Sequence, residues 1–216
     1  IKTIIQNINE RHDNVILGDE EKILYGQGYI YDTLLKNQYK ISLKSFYQIN
    51  PIQVEILYQT AIDLAHLNQD SVVLDAYCGI GTITLSLAKH VKKVYGVEVV
   101  YQAIEDAKNN ALLNKIDNVD FVCDDAGKYM VELVKKNTHL DVVFVDPPRK
   151  GCSEEFLEHL LQASPKEIIY ISCDVATQAR DAKYLNEHDY TITNCQPVDM
   201  FPHTFHIENI LRFEKS

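Results

Sequence analysis

The chain has 216 residues, with 21 basic against 31 acidic side chains and a formal net charge of −10. That balance argues against broad, non-specific phosphate binding, so any grip on nucleic acid must come from a local patch or from another domain. With 46% hydrophobic and 24% charged residues, the composition is that of a globular protein long enough to bury a core as one large α/β domain. Five cysteines (Cys78, Cys123, Cys152, Cys173, Cys195) form no C-x-x-C pair and no His/Cys metal spacing. This pattern implies reduced thiols in a cytoplasmic protein, with no zinc site and no disulfide framework. No apolar run is long enough to span a bilayer, and the N-terminus lacks the basic-then-apolar layout of a signal peptide. The first residue is Ile, not Met, and the expectation is a fragment of something longer.

In chain order, residues 1–50 hold short alternating runs broken by Gly-Asp and Asn, which predict antiparallel hairpins. A helix over about residues 51–67 links this segment to a larger sheet. From Ser71 onward, β-rich runs alternate with amphipathic stretches: strands at 72–75, 93–98, 119–123, 141–146 and 167–172, with helices at about 80–90, 101–114, 125–136, 153–163 and 175–188. Two last strands, 190–201 and 205–214, follow one another across a short turn. Five β-α units ending in two adjacent strands predict a doubly wound, mostly parallel sheet with an antiparallel terminal hairpin. The domain reading is a β-rich segment over 1–50 and a catalytic domain over 51–216.

"VLDAYCGIGTITLSLA" (73–88) ends a strand on an acid, Asp75, turns on Gly79 and Gly81, and enters a helix. Glycines let backbone approach a ligand, and the helix start offers free N–H groups. The third glycine of the dinucleotide fingerprint is absent, and a tight β-α connection with no ligand explains the turn as well. Glu98 closes the second strand, placed either to accept from a ribose diol or to cap the next helix. Asp124 and Asp125, after the third strand, are placed to accept from an adenine amino group, or to cap the following helix. Cys173 ends the fifth strand, just where a helix begins.

The order Asp75, Gly79-x-Gly81, Glu98, Asp125 resembles the S-adenosylmethionine site of class I methyltransferases, whose fold is a Rossmann-like seven-stranded sheet. "SFYQIN" (45–50), "DPPRKG" (146–151), "ISCD" (171–174) and "FPHTFHIEN" (201–209) narrow this. Together they resemble the RNA uracil-C5 methyltransferases, over essentially the whole chain. In that family a cysteine adds to C6 of uracil, C5 becomes nucleophilic enough to take the methyl group, and a base removes the C5 proton. The resemblance implies Cys173 as nucleophile and Glu208 as base. It implies cofactor binding by Gln48, Tyr77, Gly79, Thr82, Glu98, Asp125 and Asp146, with S-adenosylmethionine converted to S-adenosylhomocysteine and no metal.

The implied partner is structured RNA, ribosomal ahead of transfer RNA, bound by a monomer in the cytoplasm. Arg149 or Lys150 would meet RNA phosphate or hold the 146–151 loop. Glu208 would need a raised pKa and Cys173 a lowered one, the latter from the helix that starts behind it. His203 and His206 read as hydrogen-bonded loop residues, and Cys78 as a small packed side chain. Two departures stand out. The family's Cys-Asn-Pro is here Cys173-Asp174-Val175, and an acid beside the thiol disfavours thiolate unless it points away. The N-terminal RNA-binding barrel and four-cysteine Fe–S cluster of many members are not in these residues. Competing readings are an RNA cytosine-C5 methyltransferase, which would carry a second cysteine where this chain has Asp146-Pro147-Pro148-Arg149, and a catalytically silent RNA- or cofactor-binding module. A nicotinamide oxidoreductase ranks last.

Overall fold

The computed structural model describes residues 1–12 and 16–216; Asp13, Asn14 and Val15, inside the expected hairpin region, lie outside the described residues. The N-terminal segment forms two antiparallel hairpins, β1 (Ile4–Ile8) with β2 (Glu20–Tyr25), and β3 (Tyr29–Leu34) with β4 (Asn37–Ser42). The second is packed into the body of the protein: Leu34 and Tyr39 are fully buried in the main core. Backbone amides of Gln38 and Lys40 donate to Asn114 and Asn110, both at 2.8 Å.

Helix α1 (Pro51–Leu64) starts with proline in its first turn and with Asn50 as N-cap, whose side-chain oxygen accepts from Gln53 N at 3.1 Å. Proline loses no hydrogen bond in the first turn, and Asn satisfies one of the free amides. Beyond it run β5 (Val72–Ala76), α2 (Thr82–Leu87), β6 (Lys93–Glu98), α3 (Tyr101–Asn114), β7 (Val119–Cys123) and α4 (Ala126–Lys135). Then come β8 (Val142–Val145), α5 (Glu154–Ala163), β9 (Glu167–Ser172), α6 (Val175–Asn186), β10 (Tyr190–Val198) and β11 (Glu208–Lys215).

The seven-stranded sheet has the order β10-β11-β9-β8-β5-β6-β7, with β5 to β9 parallel and β11 antiparallel to both its neighbours. This is the doubly wound, mostly parallel sheet expected from the β-α alternation. Order 3-2-1 on one side of β5 and 4-5 on the other puts the topological switch point at β5, where such sheets bind ligands.

Because strand side chains alternate between faces, the apolar runs build two cores. Val73, Val94, Phe144, Ile169, Ile171 and Ile210 face α1, α2 and the β3–β4 hairpin. Leu74, Val97, Val143, Val145, Tyr170 and Phe213 face α4, α5 and α6. The turn into α2 depends on Gly81, whose φ is +86° and where an added Cβ would lie 2.8 Å from Phe121 Cζ. Left-handed backbone costs an ordinary residue about 1–2 kcal/mol, and overpacking adds about 1–3 kcal/mol. Gly81→Ala is therefore expected to destabilise the fold by at least about 2 kcal/mol, read as a lower midpoint in chemical denaturation; an unchanged midpoint would contradict this packing.

Candidate active site at the strand ends

Strand parity gathers the chemistry. Counting alternate positions from the residues of the first core, Asp75 on β5, Glu98 on β6 and Glu208 on β11 point to that same face. Carried one residue past β8 and β9, the alternation puts Asp146 and Cys173 there too. All five lie at the C-terminal ends of the parallel strands, the end where open α/β sheets bind ligands.

At the switch point the chain makes a tight turn through Tyr77, Gly79 and Gly81, with φ of 68°, 53° and 86°. Tyr77 is a non-glycine residue in left-handed backbone, a strain that tends to occur at functional sites, and its ring packs on Phe156 at 5.4 Å. Gly79 is open: a Cβ there would meet nothing within 4 Å. Thr82 opens α2. Its hydroxyl reaches Tyr58 Oη at 3.5 Å, and its carbonyl accepts from Tyr39 Oη at 3.2 Å. Beneath the turn Asp75 is 0% exposed. Its Oδ2 accepts from Thr84 Oγ1 at 2.6 Å, while Oδ1 has no partner. Burial raises its pKa to about 7, against the pull of the Thr84 hydrogen bonds and with help from the Glu98 charge.

Glu98 does not cap α3, whose N-cap is Val100; one carboxylate oxygen accepts from Val100 N at 3.0 Å. Asp125 does cap α4, accepting from Lys128 N at 3.0 Å, and is exposed. Gln48 is half-buried between Tyr47, which packs on the first core, and Asn50, whose amide donates to Met200 O at 3.1 Å. That bond ties the "SFYQIN" segment to the β10–β11 connection.

Cys173 and Glu208 are brought together by register. Asn209 pairs with Ser172, so the next step places Glu208 opposite Cys173. Glu208 is 4% exposed, and burial raises its pKa to about 7, with Arg149 pulling the other way. Asp146, partly buried, is pushed to about 8 by desolvation and by the charges of Glu208 and Asp75. The Cys173 thiol is pushed up, first by burial and then by Glu208 and Asp146, while Arg149 pulls it down by hydrogen bond and charge. The lowered thiol expected from the helix start is not seen. Asp174 takes up the α6 terminus instead, accepting from Ala176 N at 3.1 Å and Thr177 N at 2.9 Å. These bonds hold Asp174 below the usual carboxylate range.

Residues outside the sequence motifs fix this geometry. Gln178 of α6 is buried; its amide donates to Tyr170 O at 2.9 Å and Asn209 O at 3.1 Å, and accepts from Asn209 Nδ2 at 2.7 Å. The 146–151 loop is clamped to the same helix. Buried Asp181 accepts from Cys152 N at 2.8 Å and Tyr170 Oη at 2.7 Å. Arg180 pairs with Asp181 and donates to Lys150 O at 3.0 Å and Cys152 O at 3.1 Å, and Thr177 Oγ1 donates to Arg149 O at 3.0 Å. In the sequence, only the density of polar residues in "TQARD" (177–181) hints at this. His203 and His206 are loop residues, His206 stacked beside Phe205 at 4.2 Å. Cys78 is packed and buried.

Two other features lie apart from this cluster. A cleft of about 460 Å³ between α5 and α6, lined by Cys152, Leu157, Arg180 and Tyr184, excludes both Cys173 and Glu208. Among the described residues, His66, Glu167 and Glu214 form a metal-like acid and imidazole group at the opposite end of β9. The Arg212 guanidinium sits among them, bonded to all three, so a cation is already in place.

The family model described as tRNA (Uracil-5-)-methyltransferase matches residues 7–216. The chain belongs to that family. It is 51% identical over its whole length to an uncharacterized RNA methyltransferase of Streptococcus mutans, covering 48% of that protein. It is 49% identical, over 99% of its length, to one of Halalkalibacterium halodurans, covering 47% of that protein. The crystal structure of Pyrococcus abyssi tRNA (uracil-54, C5)-methyltransferase in complex with S-adenosyl-L-homocysteine superposes with a TM-score of 0.83 at 32% identity, over 98% of this chain and 50% of that one. The chain thus spans about half the length of the curated relatives it matches.

In this chain the buried acids make stability depend on pH. Folded Asp75 keeps its proton up to about pH 7, whereas the unfolded chain releases it near the ordinary value of 3.8. Between those limits the folded state binds more protons, so stability falls as pH rises and levels off above about 7, by at most about 4 kcal/mol. Asp75→Asn is expected to flatten that slope, giving a smaller drop in Tm between pH 5 and pH 8 than the parent chain shows. Equal drops in both proteins would contradict the burial argument.

Proposed function

We propose that the whole protein transfers a methyl group from S-adenosylmethionine to C5 of a uridine in structured RNA, with Cys173 as nucleophile and Glu208 as base. The observation that carries the reading is the β9–β11 register, which sets Glu208 opposite Cys173 at the same end of the sheet as the Gly79–Gly81 turn. The same arrangement disfavours a silent binding module, since thiol and carboxyl are both present on the same face of the sheet. It gives no second cysteine at Asp146-Pro147-Pro148-Arg149, where a cytosine-C5 enzyme of this kind would need one.

The residues present fit the cofactor. Open space at Gly79 leaves room for close approach to the backbone. Glu98 keeps one carboxylate oxygen for a ribose diol, and the crowd of Asp75, Asp146 and Glu208 suits a ligand with a positive centre. Gln48, Tyr77, Gly79, Thr82, Glu98, Asp125 and Asp146 would hold it, Asp125 through whichever oxygen its cap leaves free. When bound, S-adenosylmethionine supplies an electrophilic methyl group.

Cys173 adds as thiolate to C6 of a uracil turned out of its stack, and the electron pair moves to make C5 nucleophilic. After C5 is methylated, Glu208 takes the C5 proton, the C5–C6 double bond re-forms and the Cys173 sulfur leaves. A carboxyl with a pKa near 7 suits that task at neutral pH. Residues 1–50 would belong to an RNA-contacting region and 51–216 to the catalytic unit, acting as a monomer in the cytoplasm.

The resemblance carried by the motifs led to an expectation of ribosomal RNA, whereas the family description and the Pyrococcus abyssi neighbour favour transfer RNA. Mapping the modified uridine after incubating the whole protein with each RNA separates the two. Cys173→Ala is expected to abolish methyl transfer while cofactor affinity stays within a few-fold; residual turnover near the parent rate would remove the nucleophile. Glu208→Gln is expected to let a covalent protein–RNA adduct build up on denaturing gels, because sulfur cannot leave while the C5 proton remains. Release of methylated product at the parent rate would exclude Glu208 as the base.

A further inference from the structure

The connection between β10 and β11 carries a run of rings that leads from the core to solvent. Phe201 packs against the first core. Its ring meets His206 edge-on, with centroids 6.3 Å apart and planes at 78°. His206 in turn stacks against Phe205, at 4.2 Å and 38°. Phe201 and His206 are half-buried, whereas Phe205 is 91% exposed. The loop that holds these rings is tied on itself. Thr204 donates to Phe201 O from its amide at 3.2 Å and from its hydroxyl at 2.8 Å, and that hydroxyl accepts from His206 N at 3.1 Å. Pro202 restricts the backbone further, and the Asn50 amide anchors the start of the loop at Met200 O. A braced loop thus holds an apolar ring out in water, where covering it would gain free energy.

The place of this ring points to what covers it. Phe205 lies three positions before Glu208, a span of at most about 11 Å, and Glu208 lies opposite Cys173. A uracil that leaves its stack to reach that pair leaves a gap between its neighbours. Charge gives RNA little grip here, because Asp75, Asp146 and Glu208 crowd this face and the chain carries a net −10. Stacking on an aromatic ring needs no charge, and every base has a face for it. We propose that Phe205 is an RNA-stacking residue, whose ring enters the space vacated by the target uracil and packs on a neighbouring base. The proposal rests on the reading of Cys173 and Glu208 as the reacting pair. Apolar wedges that unstack duplexes work in the same way. Phenylalanine has no polar atom to read a base edge, so the contact holds the RNA open without selecting its sequence. His206 and Phe201 prop the ring from behind and need not touch RNA.

The test compares Phe205→Ala, Phe205→Leu and Phe205→Trp with the parent, in the whole protein and on the transcripts used to map the uridine. Phe205→Ala is expected to lower kcat/KM for methyl transfer by about tenfold or more, with Kd for S-adenosylmethionine and Tm unchanged. Phe205→Leu keeps apolar volume without a ring face and should lose nearly as much, whereas Phe205→Trp keeps a face and should lose least. This chain has no tryptophan, so the emission that Phe205→Trp adds over the parent reports on this position. Saturating RNA is expected to quench the added emission. The same RNA lacking the two bases that flank the uridine should quench it less. Parent-like turnover in Phe205→Ala overturns the proposal, and so does added emission that RNA leaves unchanged. A lowered Tm in Phe205→Ala also overturns it, because the ring would then pack against another part of the protein. The quench is read on binding, without turnover, so it stands apart from Cys173→Ala, whose turnover decides separately whether Cys173 is the nucleophile.

Discussion

A parallel neighbour would bring the start of β11 to the start of β9, at the far end of the sheet from the Gly79–Gly81 turn. Because β11 runs antiparallel, its first residue arrives where β9 ends, and a carboxyl 35 positions further along the sequence (208 − 173) faces the thiol. Everything else in the site assumes this reversal. It is why the connection from β10 must cross over the strand ends, and why Asn50, at the head of α1, can bond that connection through Met200. It is also why Gln178 can bridge Tyr170 on β9 and Asn209 on β11 with one amide. Losing that amide would leave several buried polar groups without partners, each worth about 1–3 kcal/mol. The bridge therefore specifies the register as well as strengthening it.

The reversal has an electrostatic consequence. It adds Glu208 to a face that already carries Asp75 and Asp146, and burial raises the pKa of all three. Acids crowded in a poorly solvated place keep protons that water would remove. Among the described residues, Arg149 is the cation that bears on both the thiol and Glu208. The face is short of positive charge, a condition that favours a cationic ligand over a neutral one. It is also a stability liability of the kind common at functional sites, with unsatisfied Asp75 Oδ1 its plainest sign.

How much of this could be read from residues alone differs by feature. The strands announce themselves because runs such as "VVLD" and "EIIYIS" are buried on both faces, so composition and length suffice. The helix over 101–114 matches because its small and apolar residues repeat at helical spacing. The terminal hairpin is legible as two strands, but the short turn expected between 201 and 205 is a longer connection over residues 199–207, where the run around "FPHTFH" forms turns and not strand. That its second strand is the inner one, beside β9, is not, because either order buries similar apolar surface. Glu98 and Asp125 each admit two readings, a ligand contact or a cap. Only the backbone shows that Val100 caps α3, while Asp125 caps its own helix. The clamp is invisible in the sequence for a physical reason. Arg180 and Asp181 are adjacent and look like solvated surface charge, and the burial of Asp181 depends on where the 146–151 loop returns, a contact made across 29 positions.

Asp174 shows how a departure from a family pattern can leave geometry intact and alter energetics. Cys-Asn-Pro, the usual motif, is a helix start in miniature, with asparagine at the N-cap and proline at the first helical position. Asp174-Val175 supplies an equally good cap, since Asp and Asn rank together there, and Val175 loses nothing by having an amide that the first turn leaves free. The difference is charge. Asparagine would leave the partial positive charge of the α6 terminus, about half an elementary charge, to act on the neighbouring sulfur. Aspartate neutralises it, as its own lowered pKa records.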